Sequence, residues 1–359
     1  MGNLANFLVS TPEGFWFNII GAFESFVPYA WAIILITMCI KIVLVPLDFF
    51  NKKVSRETSL RNATLMPKMQ QLQQKYGHDK NLLNQKTAEL YRSSGMNLGG
   101  SCVVMLVYLV VTMVVFFTLF TSLNTNSTYK IEQQYLELRE TYQAAYVQTT
   151  DDPLTVVNEK EVAAQNAVLE AYENRTNGFL WVKNVYLADN PWTNSILSFD
   201  EYLNLVGNNV RLELNTESVS YSELSQEQKD DFKAEYESVT KILQEKHGGP
   251  NGYLITFIVA VLTAFFSQYF IQKQTNKKTA KQLNQNPQAQ KTNKIMLIIL
   301  PAIMGLITLF YNAVFGLYII ANQLVAILTF PLIDKILDVI QEKKQKKEQE
   351  KIQVDYRRK

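Results

Sequence analysis

The 359 residues carry 35 Lys/Arg against 33 Asp/Glu, with 47% hydrophobic side chains, two cysteines and two histidines. A mean hydropathy near zero averages very unlike parts here, and the small net charge conveys little until it is mapped along the chain. Cys39 and Cys102 both sit at or inside apolar runs, which argues against a stabilising disulfide, and without paired histidines they make no zinc site.

In chain order, residues 1–27 carry two acidic and no basic side chains. They lack the basic n-region and small-residue cleavage site of a cleavable signal. Gly2 formally begins a myristoylation-like Met-Gly, for which a polytopic protein with an external N-terminus has no use. Phe15, Phe17, Ile19, Ile20 and Phe23 read either as a short interfacial helix on the outer surface or as an ordered lead into the first span. Pro28–Leu47 is the first of four apolar blocks, followed by Val103–Leu123, Tyr253–Gln272 and Ile295–Ile333. About 20 apolar residues cross a bilayer core, so the first three each predict one helix. The fourth holds 39 uncharged residues, about 58 Å as one helix. It therefore reads as two helices broken near Tyr311-Asn312-Ala313.

Between the spans, 48–100 is charged and Gln-rich. Leu65, Met69, Leu72 and Tyr76 fall on one helical stripe, Gly77-His78-Asp79 interrupts it, and Leu83, Thr87 and Leu90 continue a second, narrower one. A helical hairpin follows, and packing of its two helices on each other explains the stripes by itself. Residues 124–252 read as a long, mostly helical region. Helices are predicted over 131–147 and 156–172, and the capping box Ser225-Gln-Glu-Gln228 starts another that runs to about Lys246, before Gly248-Gly249-Pro250. Phe179–Leu187 is an aromatic, membrane-proximal stretch, and Trp181 and Trp192 suit an interfacial belt. Asn126-Ser-Thr128 and Asn174-Arg-Thr176 match the glycosylation pattern, which also arises by chance. After Ile333 the tail is amphipathic at first and then becomes a Lys/Glu/Gln run, expected to be solvated and partly disordered.

Charge placement orients these parts. Lys/Arg outnumber Asp/Glu by 9 to 4 in 48–100, by 6 to 0 in 273–294 and by 9 to 6 in 334–359, whereas 124–252 carries 10 against 21. The positive-inside rule puts the three basic segments in the cytoplasm. The resulting layout is an external N-terminal segment at 1–27 and spans at 28–47, 101–123, 253–272, 295–311 and 314–333. A hairpin at 48–100, a loop at 273–294 and a tail at 334–359 are cytoplasmic, and 124–252 is external. The predicted fold class is an all-α, multi-pass membrane protein with five spans. The basic hairpin and tail suit anionic membrane lipids or a ribosome.

Enzymatic chemistry has no visible carrier. There is no Gly-rich phosphate loop, HExxH or GxSxG motif, so neither a cofactor nor ATP hydrolysis is expected. His78 and His247 fall on opposite sides of the membrane, and the spans hold no Asp, Glu or His. The one ionisable group at depth is Lys41. It reads either as a lysine snorkelling along about 9 Å of helix to the boundary or as a polar site inside the bilayer.

These residues, in this order, resemble the YidC/Oxa family of membrane protein insertases. The resemblance runs through Trp31–Thr37 with the charge at 41 and Pro46-Leu47, then Leu65-Met-Pro-Lys-Met69, Gln73–Tyr76, Leu90-Tyr91 and Met96-Asn97 with Gly99–Cys102. It resumes at Phe179-Leu-Trp181, Phe270–Lys273, Leu317-Tyr318 and Asn322. It implies a bacterial plasma-membrane protein that inserts and helps fold nascent membrane proteins, with the ribosome and the Sec translocon as partners. The implied groove is lined by Lys41, Thr37, Gln268, Gln272, Tyr318, Asn322 and Gln323, and the implied client-capture hairpin carries Leu65, Met69, Leu72 and Tyr76. Departures from the pattern are Lys41 in place of arginine, Asn97-Leu-Gly-Gly-Ser-Cys102 without the proline, Asn312-Ala313-Val314 in place of Pro-x-Gly, and an enlarged external region. Two other function classes fit a polytopic chain: a transporter or channel using Lys41 as an anion site, and a surface scaffold acting through 124–252. A transporter predicts an inverted repeat, which the sequence does not display.

Overall fold

A computed structural model describes residues 6–8, 11–94, 98–148, 157–175, 177–207, 211–214, 217–283 and 287–358. Gly2, Met96-Asn97, Thr176 and residues 284–286 of the basic loop lie outside the described residues. The chain is mostly helical: α1 Phe15–Glu24, α2 Tyr29–Tyr76, α3 Lys80–Ser93, α4 Leu98–Gln148, α5 Val157–Glu173, α6 Phe199–Val206, α7 Gln226–His247, α8 Ile255–Leu283, α9 Pro287–Phe310 and α10 Ala313–Arg358. A small antiparallel ribbon, β1 Asn6–Leu8, β2 Arg211–Leu214 and β3 Glu217–Ser220, is paired in that order. Among the described residues, four stretches are long and apolar enough to cross a membrane, within α2, α4, α8 and α10, and Ile295–Phe310 of α9 is a shorter apolar helix.

Several helices run on past the apolar blocks. α4 is 51 residues long, about 77 Å, and joins the second apolar block to the helix predicted at 131–147. Residues 101–148 contain neither Gly nor Pro, so nothing in the local chemistry stops it. α2 likewise continues for 48 residues through Pro46 and Pro67. It ends at Tyr76, and Asp79 caps α3 by accepting the Asn81 and Leu82 N–H groups at 3.0 Å. The tail expected to be partly disordered is instead helical to Arg358. Its Lys, Glu and Gln are strong helix formers that carry the preceding helix onward.

The chain divides into two compact units. The first comprises residues 1–36, 118–261 and 303–319; the second comprises 37–117, 262–302 and 320–359. In the first unit, an aromatic core joins α4, α6 and α7. Tyr135, Tyr202 and Tyr236 lie with ring centroids 4.9–5.4 Å apart, and Phe199 and Phe232 meet edge-on at 5.4 Å. Ala164 and Val168 of α5 are fully buried, as are Val239 and Leu243 of α7. Ser225 forms the capping box with Gln228 that its sequence predicts. One ion pair sits inside this core: Arg139 Nε donates to Glu235 Oε1 at 2.9 Å, with both side chains 8% exposed, and Gln143 donates to the same oxygen at 2.8 Å.

The first unit also closes a set of helix ends. Phe179 and Val182 exchange backbone hydrogen bonds around Leu180, whose φ of 54° is a strained, left-handed value for a bulky residue. This turn carries Trp181, whose indole N–H lies 3.0 Å from Asp189 Oδ2 and 3.1 Å from Thr256 Oγ1. Asp189 in turn accepts the Thr256 backbone N–H at 2.6 Å, capping α8 from a distance. A side chain on Gly252 would collide with that carboxylate. The carbonyls of Leu187 and Val185 accept the Ala313 and Val314 N–H groups at the start of α10, where Asn312 Oδ1 accepts from Phe315 N at 3.0 Å. Asn251, fully buried, ties this segment together through Asn184 and the Ala188 carbonyl.

The buried ion pair yields a test. Arg139→Leu leaves Glu235 buried without its cation and is expected to cost about 3–5 kcal/mol, whereas pairing it with Glu235→Leu should recover most of the loss. Thermal unfolding of the detergent-solubilised protein reads both, and equal melting of the single and double variants counts against the pairing.

Candidate functional site

The second unit gathers most of the polar side chains singled out from the sequence. α2 supplies Thr37 and Lys41, α8 supplies Gln268 and Gln272, and α10 supplies Asn322 and Gln323. Tyr318 belongs to the first unit, where it is buried with its ring stacked on Phe315 at 5.8 Å. Thr37 is 1% exposed, while Lys41, Gln268, Gln272, Asn322 and Gln323 are half-buried. Thr37 and Lys41 share a face of α2, and Gln268 and Gln272 share a face of α8, because residues four apart stand one above the other. Among the described residues, Lys41, Gln268, Asn322 and Gln323 make no hydrogen bond or ion pair.

Two features escaped the sequence reading. The first is Asp48, only 5% exposed, whose Oδ1 accepts the Tyr108 hydroxyl of α4 at 2.9 Å. Lying just beyond the apolar run, it read as the start of the cytoplasmic hairpin, yet α2 continues through it without a break and holds it buried. The second is a double bridge between α2 and α10. Lys52 Nζ lies 2.9 Å from Asp334 Oδ2, and Arg56 Nη2 lies 2.5 Å from Asp338 Oδ1. Lys52 also donates to the Phe330 carbonyl at 3.2 Å and sits 4.8 Å over that ring. The signal was present in the sequence as two i,i+4 pairs of opposite sign, but their partnership across 282 residues was not.

In the hairpin, Leu65 is buried and Met69, Leu72 and Tyr76 are half-buried. The Tyr91 hydroxyl of α3 donates to Met69 Sδ at 3.1 Å. At least part of the stripe therefore serves the hairpin's own packing.

The family model described as the 60Kd inner membrane protein matches residues 22–344, covering the hairpin, the polar site and every apolar stretch. The chain belongs to this family. Among relatives of the 60Kd inner membrane protein family, one named membrane protein insertase YidC from Fusobacterium nucleatum is 39% identical over 85 residues, 24% of this chain and 40% of that protein. One of the same name from Geobacter sulfurreducens is 39% identical over 95 residues, 26% of this chain and 16% of the relative. The one from Bordetella petrii is 34% identical over 94 residues, again 26% and 16%. The chain thus spans well under half the length of these relatives. The names agree with the resemblance carried by the motifs, and with the apolar helices they make this a multi-pass membrane protein of the 60Kd family.

The double bridge fixes α2 against α10. Lys52→Glu is expected to lower thermal stability by about 1–3 kcal/mol, and adding Asp334→Lys should restore most of it. A swapped variant no more stable than the single one would show that this pair does not hold the helices.

Proposed function

We propose that this protein is a membrane protein insertase that passes the hydrophilic part of a client through a polar, hydrated groove, without nucleotide hydrolysis. One observation carries the reading. Lys41, Gln268, Asn322 and Gln323 lie in membrane-spanning stretches, half-buried, with no protein partner among the described residues. A polar group at that depth without a hydrogen bond is costly. Water, and in turn a client's polar residues, would supply the missing partners.

The energetics need no chemical fuel. Moving an apolar helix from water into lipid is downhill, and the barrier lies in carrying its polar flanks through hydrocarbon. A wet groove lowers that barrier. Lys41 then attracts acidic residues in the translocating segment, with Thr37, Gln268, Gln272, Asn322 and Gln323 lining the same path. The α2–α3 hairpin, through Leu65, Leu72 and Tyr76, would receive clients on the cytoplasmic side, with the N-terminus outside and the C-terminus inside. The basic face of the hairpin and the helical tail suit a ribosome, with anionic lipid as a second contact and the Sec translocon as a neighbour.

In reconstituted vesicles, Lys41→Ala should reduce insertion of a client with an acidic translocated tail by roughly tenfold, from about 1–2 kcal/mol of lost attraction. Lys41→Arg should retain it, since the charge is kept. Equal insertion by all three versions would remove Lys41 from the mechanism.

Removing the residues after Ile340 should weaken co-sedimentation with ribosomes at low salt, because the deleted stretch carries most of the tail's Lys and Arg. An unchanged profile would place ribosome docking elsewhere.

A further inference from the structure

The spanning part of α2 carries, besides the half-buried Lys41, a buried side chain of opposite sign. Asp48 lies seven residues further along the same helix, two turns away on nearly the same face and about 10 Å distant along the axis. Asp48 is 5% exposed, and its carboxylate takes a hydrogen bond from Tyr108 at 2.9 Å. No hydrogen bond or ion pair joins the two. Beyond Asp48 on α2 come Lys52 and Arg56, each already matched by an aspartate of α10. The face of α2 therefore presents a ladder of charge in which Lys52 and Arg56 are neutralised at contact, while Lys41 and Asp48 are left two turns apart.

We infer that Asp48 is a specificity residue of the groove, a fixed counter-charge that makes the site dipolar and favours clients whose hydrophilic segment carries an acidic and a basic side chain about 10 Å apart. This rests on the insertase reading. The physical argument is one of competition. A client with acidic residues alone is drawn by Lys41 and repelled by Asp48, so much of the attraction cancels. A client that presents a carboxylate to Lys41 and carries an ammonium or guanidinium two turns further on gains from the field of Asp48 as well. Tyr108 holds the carboxylate in position, and its hydrogen bond offsets part of the cost of keeping that charge buried. Discrimination of this kind works by disfavouring the wrong partner as well as by attracting the right one.

The test uses the full chain in vesicles with three versions of one client. Its translocated tail is neutral in the first, carries only acidic residues in the second, and carries an acidic and a basic residue two helical turns apart in the third. Asp48→Asn is expected to raise insertion of the acidic client about fivefold, lower that of the dipolar client by a similar factor, and leave the neutral one unchanged. Tyr108→Phe, which keeps the carboxylate and frees it from its tether, should shift both charged clients in the same directions by less. If Asp48→Asn fails to fold, the Tyr108→Phe comparison decides alone. Equal effects on all three clients, or none, overturn the inference. If the unaltered protein inserts no client, or inserts all of them regardless of Lys41, the insertase reading itself fails. Insertion that needs Lys41 but ignores Asp48 and Tyr108 overturns only the role of Asp48.

Discussion

Buried helix ends constrain this structure more tightly than any single packing contact. A helix that starts away from water leaves its first N–H groups without partners, and each must be matched from elsewhere in the chain. Here one short segment answers for three helices. Asp189 accepts from Thr256 at the start of α8, Val185 and Leu187 accept from the start of α10, and Asn190 donates to the Leu309 carbonyl at the end of α9. An aspartate at a helix N-terminus is also favoured by the helix dipole. Displacing this segment would strand several backbone groups at once, so the first unit has reason to hold one conformation.

The second unit is organised by a different constraint. Among the described residues its cross-helix links include charged ones, Asp48 with Tyr108, Lys52 with Asp334 and Arg56 with Asp338, beside the neutral contact of Tyr91 with Met69. Around them stand amides with no protein partner among the described residues. Where a polar group finds no partner in protein, it must keep one in water. On the proposed reading, such half-buried amides would be wetted and would suit a region that admits and releases a polar chain. A fully matched core would gain nothing from a visitor's hydrogen bonds.

How much of this could be read from the sequence followed from the range of each interaction. Apolar block length located the membrane-crossing stretches, and local chemistry marked the break at Gly77–Asp79, the Ser225 cap and the gap between α9 and α10. These signals act within one or two helical turns. Where the sequence changes from apolar to charged without Gly or Pro, it marks a change of solvent and not a helix end. That is why α4 was read in two pieces and the tail as partly disordered. The β ribbon joins residues 6–8 to 211–214, and the ion pair joins Arg139 to Glu235; no local pattern announces such partnerships. Tyr318, expected from the sequence as a groove residue, has its ring stacked on Phe315, a contact between residues one turn apart on α10.

Lysine at position 41, where the family resemblance implies arginine, becomes intelligible through its surroundings. A guanidinium brings five N–H donors in a fixed fork and needs planar acceptors to match them. Among the described residues none hydrogen-bonds to the Lys41 side chain, and Asp48, two turns along the same helix, is already engaged by Tyr108. A compact ammonium on a flexible stem has fewer donors to satisfy and can hydrate them in a narrow wet space. If Lys41 acts as proposed, with a carboxylate further along the same helix, it would work through charge at a distance more than through a bidentate clamp. In that setting the directional fork of arginine would offer no advantage, and lysine would supply the charge with fewer hydrogen bonds to satisfy.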